Sequence, residues 1–158
     1  MNKVLVCYFS ATGTTKRAAN RVVDAVNGDI FEIEPVDIYT EDDLNWHVKE
    51  SRSTIEMQDK SFRPPIKSKT IEMNNYDTII LGFPVWWYTA PTIINTFIEK
   101  NNFDNKNVYI FVTSGSSSSE DSFNDLQSTY PNIHFISSKR LTGVESNEEI
   151  LNWLNYDS

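Results

Sequence analysis

The chain has 158 residues, a formal net charge of −8 and 39% hydrophobic residues. This length suits one domain over residues 1–158, and the acidic charge argues against nucleic acid, which is bound through Lys and Arg. Because no apolar run reaches the ~20 residues of a membrane span, and the run after Lys3 is too short for a signal peptide, we expect a soluble cytoplasmic protein.

The first half of the chain begins with a strand, a helix and a second strand. Val4–Phe9 is a continuous apolar run, typical of a strand buried on both faces. Apolar residues at helical spacing then predict a helix over Thr14–Val26, with a stop at Gly28. Ile30–Glu34 is predicted as a short strand. The segment 35–75 that follows is charged and longer than one crossover needs. It predicts at most one helix, marked by Leu44, Trp46, Ile55 and Met57.

The second half alternates strands and helices. Strands are predicted at Tyr76–Gly82, in "NVYIFVTSG" and at Ile133–Ser137. Helices are predicted after Pro91, around Phe123, Leu126 and Tyr130, and at the end of the chain around Ile150, Leu151, Trp153 and Leu154. This alternation predicts an α/β fold with a mostly parallel sheet of five strands.

A cluster of hydroxyl groups, "SATGTT", follows the first strand. Ser10, Thr12, Thr14 and Thr15 surround Gly13, in a turn expected at the carboxyl edge of the sheet, where open α/β folds bind ligands. The helix that follows presents unpaired N–H groups and a positive dipole end, which attract an anion. The pattern therefore predicts a phosphate site, although one of these hydroxyls would suffice for ordinary helix capping.

Other phosphate-binding loops match this stretch less well. It lacks the Gly-Lys step of a Walker loop and two of the three glycines of the dinucleotide fingerprint. A cysteine phosphatase would need Arg in the place of Gly13, and Cys7 is predicted to lie in the core. His47 and His134 show no metal-ligand spacing, and Glu120, Asp121 and Glu145 show none either. We therefore assign no catalytic or metal-binding residue.

"SATGTT" resembles the phosphate loop of flavodoxins, which binds flavin mononucleotide (FMN). The resemblance covers nearly the whole chain except 35–75, and the uninterrupted fifth strand resembles the short-chain type. It implies a three-layer, doubly wound sandwich with sheet order 2-1-3-4-5. It also implies that FMN contacts three loops, at Ser10, Ala11, Thr12, Gly13, Thr14 and Thr15, at Pro84, Val85, Trp86, Trp87 and Tyr88, and at Thr113, Ser114, Gly115 and Ser116.

The second and third loops suit a flavin ring for different reasons. "PVWWY" offers a flat aromatic surface for stacking, although its aromatic residues could instead cap the core or form a protein interface. Trp86 and Trp87 are adjacent and cannot both point inward from an extended backbone. The third loop would hold the ring through backbone groups, while Ser117–Ser119 are expected to be flexible. Many flavodoxins carry an aromatic residue in the third loop, which this loop lacks. Many also carry a glycine in the second loop at the place where this sequence has Trp87.

Two functions remain open, with a third as a background alternative. The first is an electron carrier, a monomer or weak dimer whose acidic surface docks basic redox partners. The second is an NAD(P)H-dependent quinone reductase, because "FPVWWYTAP" resembles the matching loop of quinone reductases and azoreductases of the same fold. Trp46 and Arg63 are then candidates beside a nicotinamide, although a solvated loop arginine is the simpler interpretation of Arg63. The third is an interaction protein that has lost its flavin.

Overall fold

Five parallel strands form the sheet of the computed structural model. They are β1 (Val4–Tyr8), β2 (Asp29–Glu32), β3 (Thr78–Pro84), β4 (Asn107–Thr113) and β5 (His134–Arg140). Their order is β2-β1-β3-β4-β5, and every neighbouring pair is parallel. This arrangement confirms the predicted α/β fold and strand order. The structure describes residues 3–10, 13–36, 40, 56–58, 61–67, 71–86, 90–114 and 118–154.

Burial separates the central strands from the edge strands. All residues of β1 are buried, and β3 and β4 are buried over most of their length. The edge strand β2 is largely exposed. The other edge strand, β5, continues to Arg140, three residues beyond its predicted end at Ser137. Its last residues are polar and only half buried, so they pair with β4 without showing an apolar pattern in the sequence.

Within the described residues, four helices of eight or more residues cover the two faces of the sheet. They are α1 (Thr14–Val26), α2 (Thr92–Lys100), α3 (Glu120–Thr129) and α4 (Asn147–Leu154). One core cluster joins α1 and α4 to one face, and a second cluster joins α2 and α3 to the other. The residue that ends α1 in the left-handed conformation is Asn27, one position before the expected Gly28. No helix in the described part of the chain is long and apolar enough to span a membrane.

The crossover between β2 and β3 is described only in part. Pro35 and Ile66 form an isolated antiparallel bridge beside the end of β2, residues 56–58 are helical, and a 3-10 turn at Met73–Asn75 leads into β3. Met57 lies in that short helical stretch. The other residues that suggested a helix here, Leu44, Trp46 and Ile55, lie outside the described residues, as does His47.

Candidate functional site

The carboxyl ends of β1, β3 and β4 lie side by side. Pairing continues past the strands themselves, because the Phe9 N–H donates to the Gly82 carbonyl at 3.0 Å and the Val85 N–H donates to the Thr113 carbonyl at 3.1 Å. The first, second and third loops therefore leave one edge of the sheet from fixed, adjacent positions. We call this edge, with the beginnings of the three loops, the carboxyl-edge site. These are the three loops that the flavodoxin resemblance implies as contacts for FMN.

The first loop forms a small turn before α1. The Gly13 N–H donates to Ser10 Oγ at 3.0 Å, and the Gly13 carbonyl accepts the first helical hydrogen bond from Arg17 at 3.1 Å. Gly13 has a φ of 96°, a left-handed conformation that glycine adopts without strain. Because Ser10 Oγ serves here as an acceptor, its own proton stays available for a ligand.

The N-terminus of α1 is suited to an anion. The cap residue is Gly13, which has no side chain to occupy the site, and the first turn contains no acidic residue. A Cβ built on Gly13 would meet no described atom within 4 Å. Since first-turn N–H groups have no partner inside a helix, they can donate to an anion in this space. The residues present therefore fit a phosphate group such as that of FMN.

Thr15 and Thr113 connect the first loop to the third. Their hydroxyl oxygens are 2.7 Å apart, and the residues are only 2% and 4% exposed. Both threonines were predicted from the sequence as FMN contacts, but their mutual hydrogen bond was not. They lie 98 positions apart in the chain, and no sequence pattern links them.

Gly82 and Phe111 form part of the same edge and were not predicted. Phe111 is fully buried in the cluster that contains α1. A Cβ on Gly82 would overlap its ring, so the missing side chain makes room for Phe111, two residues before Thr113 on β4. A glycine inside a buried strand was the sequence signal, because this pattern often marks a close approach.

The second loop places Trp86 against the core. Its ring meets Phe9 edge-on, with centroids 5.8 Å apart and planes at 85°, and it packs against the cluster on the α2 and α3 face. Pro84 and Val85 beside it are partly buried. One of the two adjacent tryptophans is thus accounted for by packing. Trp87 and Tyr88 lie outside the described residues.

The third loop begins with Thr113 and the partly buried Ser114. Gly115 and Ser116 lie outside the described residues, as do Ala11 and Thr12 of the first loop. At its far end, Ser119 is 7% exposed, and its hydroxyl is 2.8 Å from that of Ser138 on β5. The expectation of a flexible Ser119 was therefore wrong, because this buried hydroxyl joins the start of α3 to the sheet.

Arg63 lies in an ion pair away from the carboxyl-edge site. Its Nε and Nη2 donate to the two carboxylate oxygens of Glu99, each at 3.0 Å, and Tyr130 donates to the same carboxylate at 2.5 Å. Glu99 is near the end of α2, roughly 10 Å along the helix axis from its first residue. These hydrogen bonds, from Arg63 above all, keep the pKa of Glu99 below its ordinary value against the effect of burial.

The remaining titratable candidates have structural roles. Cys7 is fully buried, and burial raises the pKa of its thiol far above the ordinary value, which confirms it as a core residue. His134 Nδ1 lies 3.1 Å from Asn107 Oδ1, where β4 and β5 begin. Burial raises the pKa of Glu145, but hydrogen bonds from Thr142 and Gly143 outweigh it and keep that pKa low.

Comparison with solved structures finds the same fold in other proteins. A crystal structure from Bacteroides eggerthii is similar over 98% of this chain and 97% of its own, with 45% identity and a TM-score of 0.95. A flavoprotein from Lactobacillus acidophilus, solved in complex with FMN, covers 98% of this chain and 99% of its own, with 22% identity and a TM-score of 0.77.

Sequence comparison leads to the family. The NAD(P)H oxidoreductase YcaK of Escherichia coli is 25% identical over 87 residues, which are 54% of this chain and 39% of that protein. The flavodoxin family model matches residues 3–157. This match confirms the predicted family and, with it, the predicted cofactor, FMN. Because it spans nearly the whole sequence, the chain belongs to the flavodoxin family.

Proposed function

We propose that this protein is an electron carrier that uses FMN. The observation that carries the proposal is the carboxyl-edge site, where three loop beginnings meet beside an α1 N-terminus that has a glycine cap and no acidic residue in its first turn. Such a site favours a phosphate group. The fold is shared with a flavoprotein solved with FMN.

The first and second loops have separate roles in this proposal. Backbone N–H groups and hydroxyls of the first loop hold the phosphate, and Gly13 lets them approach it. Trp86 packs inward, which makes Trp87 and Tyr88 the proposed stacking residues of the second loop. FMN itself supplies the redox chemistry. The chain orients the cofactor and excludes water through Ser10, Ala11, Thr12, Gly13, Thr14, Thr15, Pro84, Val85, Trp86, Trp87, Tyr88, Thr113, Ser114, Gly115 and Ser116.

The ion pair between Arg63 and Glu99 favours a carrier over a reductase. A reductase needs groups beside the flavin that bind the phosphates of NAD(P)H, and Arg63 was a candidate. It instead binds Glu99 with two nitrogen atoms, near the end of α2 that lies away from the second loop. The net charge of −8 also suits docking to a basic partner protein.

Stopped-flow spectroscopy tests the carrier proposal. The FMN-loaded protein is mixed with NADPH or NADH in one arm, and with a ferredoxin-type reductase and NADPH in the other. We expect flavin absorbance to persist for minutes with the nucleotides alone and to bleach rapidly when the reductase is added. Failure of the reductase to accelerate bleaching would contradict the carrier function.

A two-electron NAD(P)H oxidoreductase is the second candidate function. The partial similarity to the E. coli oxidoreductase and the reductase-like second loop, "FPVWWYTAP", favour it. In the same stopped-flow experiment, bleaching by NADPH or NADH within seconds and without added reductase would establish this candidate. Turnover with a quinone would then identify its electron acceptor.

A further inference from the structure

Thr113 is bonded to both of the other loops. Its side-chain oxygen lies 2.7 Å from Thr15 Oγ1 of the first loop, and its carbonyl accepts the Val85 N–H of the second loop at 3.1 Å. Both threonine side chains are buried. Thr113 was predicted to contact FMN, yet its side-chain oxygen is hydrogen-bonded to that of Thr15 in the phosphate loop.

The two hydroxyls carry two protons, and the hydrogen bond between them uses one. Either oxygen can be the donor. If Thr113 donates, the Thr15 proton remains free beside the first-turn N–H groups of α1. If Thr15 donates, the free proton belongs to Thr113 at the end of β4, and Thr15 has no proton for a ligand. The direction of this bond therefore decides whether Thr15 can serve as a phosphate donor.

We propose that Thr113 is a positioning residue for the phosphate of FMN. The Thr113 hydroxyl donates to Thr15 Oγ1, so that the Thr15 hydroxyl donates to a phosphate oxygen. This inference rests on the proposed function. A hydrogen bond to an anion is stronger than one between neutral groups, and a donor behind Thr15 polarises it further. The phosphate stabilises the arrangement in which the Thr15 proton points toward it. FMN binding therefore selects the hydrogen bond in which Thr113 is the donor.

Comparison of FMN with riboflavin, which lacks the phosphate, separates this role from a purely structural one. Dissociation constants for both flavins are measured by fluorescence quenching for the wild type and for Thr113→Val. We expect Thr113→Val to weaken FMN binding about 10-fold, comparable to one hydrogen bond, because Thr15 loses the donor that directs its proton toward the phosphate. Riboflavin binding should change less than twofold. Thr113→Ser keeps the hydroxyl and should retain wild-type affinity for FMN.

Two further variants complete the test. Thr15→Val should also weaken FMN binding selectively, and Thr15→Val/Thr113→Val should be no weaker than Thr15→Val alone, because Thr113 acts through Thr15. The double variant replaces both partners with apolar groups and so leaves no buried hydroxyl unpaired. Thr129→Val, which removes an exposed hydroxyl at the end of α3, is the control and should bind both flavins normally.

The outcomes separate the inference from the proposed function. Suppose that the wild type binds FMN, but that Thr113→Val weakens the binding of FMN and of riboflavin equally or weakens neither. The positioning role is then overturned, and the proposed function stands. Additive losses in the double variant would also overturn it. If the wild type binds neither flavin, the proposed function and this inference fail together.

Discussion

At the scale of single residues, Gly82 shows how a missing side chain can shape a sheet. Glycine inside a strand normally weakens it, yet Gly82 lies in the buried part of β3, toward its carboxyl end. A methyl group on the Cα of Gly82 would overlap the ring of Phe111. The glycine thus permits an aromatic residue on β4 directly below Thr113.

We expect Gly82→Ala to destabilise the protein by about 1–3 kcal/mol, the usual cost of overpacking a buried site. Phe111→Leu in the same background should recover part of this loss, because the smaller side chain gives the new methyl group room. The free energy of unfolding in urea measures both effects. If the double variant is less stable than the sum of the single changes implies, steric overlap is not the cause.

At the scale of secondary-structure elements, one network joins the crossover segment to two helices. Arg63 binds Glu99 of α2, and Glu99 also accepts a hydrogen bond from Tyr130 at the end of α3. Asn95 of α2 donates to the same tyrosine oxygen at 3.1 Å. Segment 61–67 is thereby attached to the helical layer of one face.

The Arg63 and Glu99 pair predicts a loss of stability in acid. The pKa of Glu99 is lower in the folded protein than its ordinary value of 4.5, so the pair contributes fully above that value. Its contribution is lost as pH falls through the folded pKa. Urea unfolding should show Glu99→Gln less stable than the wild type at pH 7, by up to about 1 kcal/mol for a half-exposed pair.

The same gap should narrow as pH falls below 4.5 and through the lowered folded pKa of Glu99, because the wild-type carboxylate then becomes neutral, as Gln is at every pH. Asp104→Asn removes one negative charge from an exposed loop and serves as the control for net charge. A gap between Glu99→Gln and the wild type that stays constant from pH 7 to pH 3 would show that the ion pair is not the source of stability.

A second element-scale feature is the loop from β5 to α4. The Glu145 carboxylate accepts the N–H groups of Thr142 and Gly143, both at 2.9 Å, and the Thr142 hydroxyl. Arg21 of α1 donates to the Glu145 carbonyl at 3.2 Å and to Asn147 at 2.8 Å. One carboxylate thus closes the loop, and one arginine attaches it to α1.

Glu145→Ala should destabilise the protein by about 1–2 kcal/mol, because it leaves two backbone N–H groups without their acceptor. Glu148→Ala, at an exposed position in the first turn of α4, should cost less than about 1 kcal/mol, since it removes only a helix-dipole interaction. Thermal unfolding of both variants at pH 7 makes the comparison. Equal losses would mean that the carboxylate does not close the loop.

At the scale of the whole molecule, the net charge of −8 should govern encounters with redox partners. The reduced, FMN-loaded protein should transfer electrons faster to a cationic small-molecule acceptor than to an anionic one of similar potential. This difference should shrink as salt rises, because ions screen charges beyond ~10 Å at 0.1 M. A preference for the anionic acceptor would instead mean that the exposed Lys16 and Arg17 of α1 dominate the local field.

Prediction from the sequence succeeded where the signal was local. The apolar runs of β1, β3 and β4 indicated buried parallel strands, since both faces of such a sheet are covered. Helical spacing indicated α1, because its buried residues Ala18, Val22 and Val26 lie on one face. The polar end of β5 was missed because an edge strand needs no apolar pattern, and Ser119 was misjudged because its partner, Ser138, lies on another element.

By itself, the sequence determined the fold class, the strand order implied by its family resemblance, and the cofactor, since "SATGTT" after a buried strand is a local arrangement of donors around a helix start. The tertiary structure alone decided that Arg63 binds Glu99, that Gly82 admits Phe111 and that Thr15 meets Thr113. These pairs are far apart in the chain, and they meet only because parallel strands and the helices that cover them bring their ends together at the edges of one sheet.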